Sequence, residues 1–234
     1  MNRQSDLASP GLALVRVLQL ASPTLPIGAY SYSQGLESVV AEGLVHDDKS
    51  ACRWIGELLD GVIATGEAAI LWRLLAAVER ADWIACEKWN ARFRASRETA
   101  ELRAETEQMG ASLAKLALEL ELLGAAARKT LPRLQPITLP AAFALIAHGF
   151  DVPSPAALTA YLWSGLENQV LAAIKTVPLG QVAGQRLLTQ LGSRLPAVIE
   201  LAATIVDDDV TAFAPGLALA SCRHERQYSR LFRS

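Results

Sequence analysis

The stretch Ser154-Pro155-Ala156-Ala157-Leu158-Thr159-Ala160-Tyr161-Leu162-Trp163-Ser164-Gly165-Leu166-Glu167-Asn168-Gln169-Val170-Leu171-Ala172-Ala173-Ile174-Lys175-Thr176-Val177-Pro178 decides the fold class. Serine followed by proline reads as an N-cap and a first helical position, where the missing N–H is an orphan anyway. Trp163, Leu166, Val170, Ala173, Ile174 and Val177 then recur at helical spacing, which gives one long helix an apolar face. Pro178 and Gly180 end it.

Outward from this segment the same period recurs. Ile55, Leu58, Leu59, Val62 and Ile63 form one stripe, and Leu113, Leu116, Leu120 and Leu123 another. Further helices are predicted near 12–21, 32–42, 48–63, 66–79, 82–95, 98–123, 139–148, 181–191 and 194–206. Ala (40) and Leu (37) make up about a third of the chain, and alternating β-branched segments are absent, so the class is all-α. About ten helices are too many for a simple bundle, and one compact domain over 1–222 is expected. The loop-like stretches are Ser22–Tyr32, Lys129–Thr138, Gly149–Pro155 and Asp207–Pro215, where Pro, Gly or Asp interrupt the period. Residues 223–234, with four arginines, one glutamate and no sustained apolar period, read as a partner-binding tail, mobile in isolation.

The formal net charge is -2, from 22 Lys plus Arg against 24 Asp plus Glu, so no whole-chain field attracts nucleic acid or anionic lipid. Cys52, Cys86 and Cys222 are odd in number and far apart, unlike a secreted disulfide framework. The polar opening Met1–Pro10 lacks the layout of a signal peptide, and no apolar run approaches the ~20 residues that span a bilayer. A cytoplasmic chain is expected.

Catalytic chemistry finds few supports. There is no GK[ST] phosphate cradle and no GxGxxG. The run Gly28-Ala29-Tyr30-Ser31-Tyr32-Ser33-Gln34-Gly35 has the wrong spacing for a serine nucleophile elbow. His46, His148 and His224 make no HxxxH pair; Cys222 beside His224 reads as a small apolar cysteine next to a surface histidine. No tightly bound metal or cofactor is expected. Arg94 with Glu98, Arg97 with Glu101 and Arg103 with Glu107 stand at i,i+4 spacing and read as a solvated helix face.

Two features fit recognition better. Ser22-Pro23-Thr24-Leu25-Pro26-Ile27-Gly28-Ala29-Tyr30-Ser31-Tyr32 is stiffened by two prolines, Gly28 allows close backbone approach, and two tyrosines are presented. Tyrosine gives amphipathic contact area at small entropy cost, though the same loop could instead pack its tyrosines on the core rim. In the tail, Tyr228, Leu231 and Phe232 alternate with Arg226, Arg230 and Arg233, apolar anchors among forked donors, as in a segment that orders on a partner. A tail docked on its own globule is the other reading.

The run from Ser22 to Glu37 resembles the amino-terminal signature of the F-type urease accessory proteins, and His224-Glu225-Arg226-Gln227-Tyr228-Ser229-Arg230-Leu231-Phe232-Arg233-Ser234 resembles that family's closing motif. Tyr161–Gln169 with Lys175–Gln181, and Ser96–Thr99 with Glu105–Gly110, resemble two blocks between them. Arg226 departs from the motif, which has a small polar residue there. The resemblance implies a non-enzymatic all-α homodimer that binds the D/H-type accessory protein, recruits the G-type accessory GTPase and serves nickel delivery to apo-urease. It further implies a pairing of Tyr30 with Arg230, a tail that orders on the D/H-type partner, and a GTPase-facing role for Lys175, which shares a polar stripe with Ser164 and Asn168. Outside that resemblance stand two alternatives: a small enzyme with its cleft beneath the Ser22–Tyr32 loop, and a helical adaptor not dedicated to urease.

Overall fold

The computed structural model describes residues 10–234, and among them the fold is helical with no strand. The opening stretch, read as unlike a signal peptide, lies outside the described residues except for Pro10. The helices are α1 (Pro10–Ala21), α2 (Leu36–Ala41), α3 (Asp48–Leu58), α4 (Ala68–Glu79), α5 (Trp83–Ala95), α6 (Ala100–Glu119), α7 (Ala125–Thr130), α8 (Leu139–Gly149), α9 (Ser154–Thr176), α10 (Gln181–Gly192), α11 (Leu195–Thr204) and α12 (Pro215–His224). A π-helical segment, Leu59–Glu67, joins α3 to α4 without a break. The all-α expectation holds.

α8 is the centre. Its sequence, LPAAFALIAHG, is apolar all round, and such a helix has to be covered on every side. Every residue from Pro140 to Ala147 is buried, packed by α4, α5, α6 and α9. α6 approaches so closely that a Cβ on Gly110 would meet the carbonyl of Ile137 and stand 2.6 and 2.8 Å from the carbonyl carbon and oxygen of Thr138. Those are backbone atoms and cannot swing aside. Gly110→Ala is therefore expected to destabilise the fold by about 2 kcal/mol through overpacking; unchanged chemical denaturation would show that the crossing can open.

The long decisive helix, α9, starts one residue earlier than its signal suggested. Pro153 holds the cap position and Ser154 makes no capping bond, while Pro155 sits in the first turn as expected. Leu166, Val170, Ala173 and Val177 are buried, Trp163 and Ile174 partly so, and Lys175 is exposed. α9 packs against α1, α2, α3, α4, α10 and α11, which makes it the second organising element.

Several local expectations fail for identifiable reasons. The predicted helix over 98–123 runs only from Ala100 to Glu119, because Thr99 caps it with its hydroxyl accepting from the Leu102 N–H at 3.2 Å. Leu120 thus falls beyond the helix and is 46% exposed. The break at Ser96–Thr99 also cancels the i,i+4 ladder: Arg94 pairs with Glu107 at 2.6 Å, Arg97 with Glu67 at 3.6 Å, and Arg103 donates to the Arg97 carbonyl. Arg97 and Glu105 are buried, so this is not a solvated face. α7 and α12 are not among the expected helices; the first is only six residues long, and the second begins at Pro215, the end of a stretch whose Asp and Pro content resembles a loop.

The continuous helical stretch Asp48–Glu79 is long and apolar enough by length and composition to cross a bilayer, contrary to the sequence reading. More than half of its apolar window, 56%, is buried within the fold. α11 and α4 pack on the π segment, and Thr65 in it donates to the carbonyl of Thr211 at 2.9 Å.

Candidate functional site

The four motif blocks lie far apart in sequence and meet around Ser31–Gly35. Gln34 (φ 52) and Gly35 (φ 78) are two successive left-handed residues. Glycine adopts that backbone freely, but glutamine does so only when held. Here Gln34 Nε2 donates to Oε1 of Glu105 on α6 at 2.8 Å, and Gln34 Oε1 accepts from Gln169 Nε2 on α9 at 3.2 Å. At Gly35 a Cβ would lie 3.1 Å from the Ala220 Cβ, so the turn seats α12 as well. Gly28 also has positive φ, 74°, but nothing stands within 4 Å of a Cβ there; its use is conformational, not the close approach inferred from the sequence.

α9 braces the same turn from behind. Asn168 Nδ2 donates to the Tyr32 carbonyl at 3.0 Å and Gln169 Nε2 to the Ser33 carbonyl at 3.1 Å. Tyr32 is buried and its hydroxyl donates to Gln108 Oε1 at 2.8 Å. Burial, then the nearby Glu105 charge, raises its phenol, partly offset by a hydrogen bond with Arg233.

The closing residues complete the cluster as a strap. The Arg233 N–H donates to the Ser31 carbonyl at 2.8 Å, and the Ser33 N–H donates to the Ser234 carbonyl at 2.6 Å. The N–H groups of Leu231 and Phe232 donate to the two carboxylate oxygens of Glu37, at 2.7 and 2.9 Å, and the Ser234 hydroxyl donates to Glu105 at 2.6 Å. Phe232 is buried in the apolar cluster that also holds Leu36, Leu166 and Val170, with the Lys175 ammonium 5.6 Å from its ring centre. The tail expected to be mobile is docked on its own globule, because Glu37 satisfies two amides and the helices leave a pocket for one aromatic ring.

The predicted residues divide accordingly. Phe232 is a core side chain of the strap, and Lys175 and Arg233 line its edge. Tyr30 (63% exposed), Leu231 (63%) and Tyr228 project outward, as does Arg226. Arg230 makes no hydrogen bond to Tyr30. Arg230 spends its fork on Glu101 at 2.7 Å and on the carbonyls of Gln227 and Glu225 at 2.9 and 2.5 Å, which ties off the strap's own turn.

Sequence reasoning passed over the buried charges. Glu105, 3% exposed, is pushed up to about 7 by burial; the bonds from Ser234 and Gln34 pull against this, Glu67 adds to it, and Arg97 opposes. Tyr161 donates to Glu67, and burial followed by that carboxylate drives its hydroxyl well above the ordinary value. A cavity of about 90 Å³ lies here, walled by apolar side chains such as Ile63, Met109 and Phe143 and reached by Glu67, Glu105 and Gln169. His224 is wholly buried while Cys222 is exposed, the reverse of the surface-histidine reading. Among the described residues, no three His, Cys, Asp or Glu side chains converge in a group able to hold a metal ion. One signal was available for these groups: Glu37 and Glu105 stand inside quoted blocks, where a carboxylate among apolar neighbours asks for a partner.

The chain is similar to known proteins over nearly its whole length. The family model described as UreF matches residues 45–192. The urease accessory protein UreF of Janthinobacterium sp. (strain Marseille) is 51% identical over 222 residues, covering 95% of this chain and 98% of that protein. The urease accessory protein UreF of Methylobacillus flagellatus is 48% identical over 226 residues, covering 97% and 100%. A protein of Bordetella bronchiseptica named bifunctional urease accessory protein UreEF is 53% identical over 225 residues, covering 94% of this chain and 52% of that longer protein.

Proposed function

Because the chain belongs to the UreF family of urease accessory proteins, which act in urease maturation and are not enzymes, we propose that it works as a scaffold for nickel insertion. In this reading it bridges the D/H-type accessory protein and the G-type accessory GTPase, modulates the latter, and does so as a cytoplasmic homodimer without a nickel ion of its own. One observation carries the proposal. The Ser31–Gly35 turn and the strap, some two hundred residues apart in sequence, form a single surface through the Arg233–Ser31 and Ser33–Ser234 bonds, with Tyr30, Tyr228 and Leu231 projecting from it. Exposed aromatic and aliphatic side chains beside arginines are what a protein interface uses as anchors. The Bordetella relative, whose name joins two accessory proteins in one chain, supports work in company with other urease accessory proteins.

The test is a cell lacking only this protein, in which urease activity, nickel content and urease polypeptide are measured together. Abundant, nickel-poor, inactive urease is expected; active, nickel-replete urease would sink the proposal. The strap's part is tested by Arg230→Lys. Lysine has three donors but no planar fork and cannot serve Glu101 and both carbonyls in one geometry. Recruitment of the GTPase should weaken by about 1 kcal/mol, roughly fivefold. Unaltered recruitment in a pull-down would remove Arg230 from the mechanism.

A further inference from the structure

His224 is the last residue of α12, and its side chain is wholly buried. Nδ1 lies 2.7 Å from Oε2 of Glu101 on α6, and Nε2 lies 3.3 Å from Oε2 of Glu37 on α2. A neutral imidazole donates from one nitrogen and accepts at the other, whereas an ionised carboxylate can only accept. Both contacts are therefore hydrogen bonds at once when the ring is the doubly protonated cation. The position agrees, since the unpaired carbonyls of a helix's last turn favour positive charge.

The two carboxylates that flank the ring are the same two that hold the strap. Glu37 accepts the amides of Leu231 and Phe232, and Glu101 accepts the Arg230 guanidinium. The charged groups around His224 are Glu37 from α2, Glu101 from α6, Arg230 from the strap, bound to the other oxygen of Glu101, and its chain neighbours Arg223, which pairs with Glu42, and Glu225. Glu225 is turned away, accepting from the first N–H groups of α6, those of Ala100 and Glu101.

We infer that His224 is a positioning residue, an imidazolium clasp that fastens α2 to α6 through Glu37 and Glu101 and so builds the seat on which the strap docks. Replacing the ring removes the link between the two carboxylates, and the strap they hold consequently loosens. The consequence for partners rests on the scaffold reading above, but the clasp itself is a property of the isolated chain and is tested there.

Nitrogen-15 NMR of the imidazoles in the full-length wild-type protein decides the protonation state. Both ring nitrogens of His224 should carry protons at neutral pH, and the Leu231 and Phe232 amides should be protected from hydrogen exchange. His224→Gln, whose amide has a single donor nitrogen and no charge and so cannot donate to both carboxylates as the ring does, should cut the protection factors at Leu231 and Phe232 by about tenfold or more, with α8 amides unchanged. A singly protonated ring at neutral pH, or wild-type protection in the variant, would overturn the clasp. If His224→Gln does not fold, the wild-type imidazole spectrum still decides. No urease component enters either experiment, so a failed scaffold reading would leave the result untouched.

Discussion

A chain carrying Phe232→Ala should keep its helical body, release its strap and lose most of its ability to activate urease. Phe232 is 6% exposed and belongs to the buried cluster that includes Leu36, Leu166 and Val170, with Lys175 over its ring. Truncating a buried phenylalanine costs about 3–5 kcal/mol where the site cannot collapse. The strap has no other buried apolar side chain; Leu231 is 63% exposed, and Tyr228 stands free of the surface. A loss of about 3 kcal/mol then lowers the strap's docking constant more than a hundredfold, and local release takes the place of global unfolding. Leu231→Ala, at an exposed position, should leave docking unchanged and act only on partners. Hydrogen exchange at residues 231–233 reads the first effect, and urease activation in cells lacking the native protein reads the second. Wild-type exchange in Phe232→Ala would show that the polar contacts alone hold the strap. Released strap with full activation would show that docking has no part in the function.

The second large effect is a pH dependence, and its sign follows from Glu105. Burial raises its folded value from 4.5 to about 7, against the bonds from Ser234 and Gln34. The folded protein therefore holds this proton more tightly than the unfolded chain. Its contribution is fully present below the unfolded value and is lost as pH rises through the folded one, a slope opposite to that of a salt-bridged carboxylate. The shift corresponds to about 3 kcal/mol across the window from pH 4.5 to 7. Glu105→Gln keeps the shape, can still accept from Gln34, and carries no charge to desolvate. The variant should match wild type near pH 5 and exceed it at pH 8 by up to about 3 kcal/mol. Urea denaturation at the two pH values makes the comparison. Parallel pH profiles for wild type and variant would mean that Glu105 is solvated or already paired when ionised.

Much of this was readable from local pattern. The apolar stripe of α9, the proline at its start and the Pro178–Gly180 stop located that helix within a residue, because each signal acts within a few residues. The apolar sequence of α8 likewise required burial on all sides. The surface roles of Arg94, Arg97 and Arg103 were not readable, because a helix break at Thr99 turned Arg97 inward and handed Glu107 to another helix. Where Arg230 points was equally out of reach of local pattern, since its guanidinium closes a turn through the carbonyls of Gln227 and Glu225 and reaches Glu101, 129 residues away.

The sequence by itself determined the helical class, the approximate helices, the absence of a nucleotide-binding or nucleophile motif, and four blocks that resemble one family. These follow from periodicity and short motifs, which depend on neighbours within a turn or two. Only the tertiary structure decided that the four blocks meet, that the closing residues form a strap over Glu37, and that His224 is buried while Cys222 is exposed. It also decided which carboxylates lose their water. Burial and partnership depend on residues some seventy to two hundred positions away, and the chain's local pattern does not encode which of them its folding brings into contact.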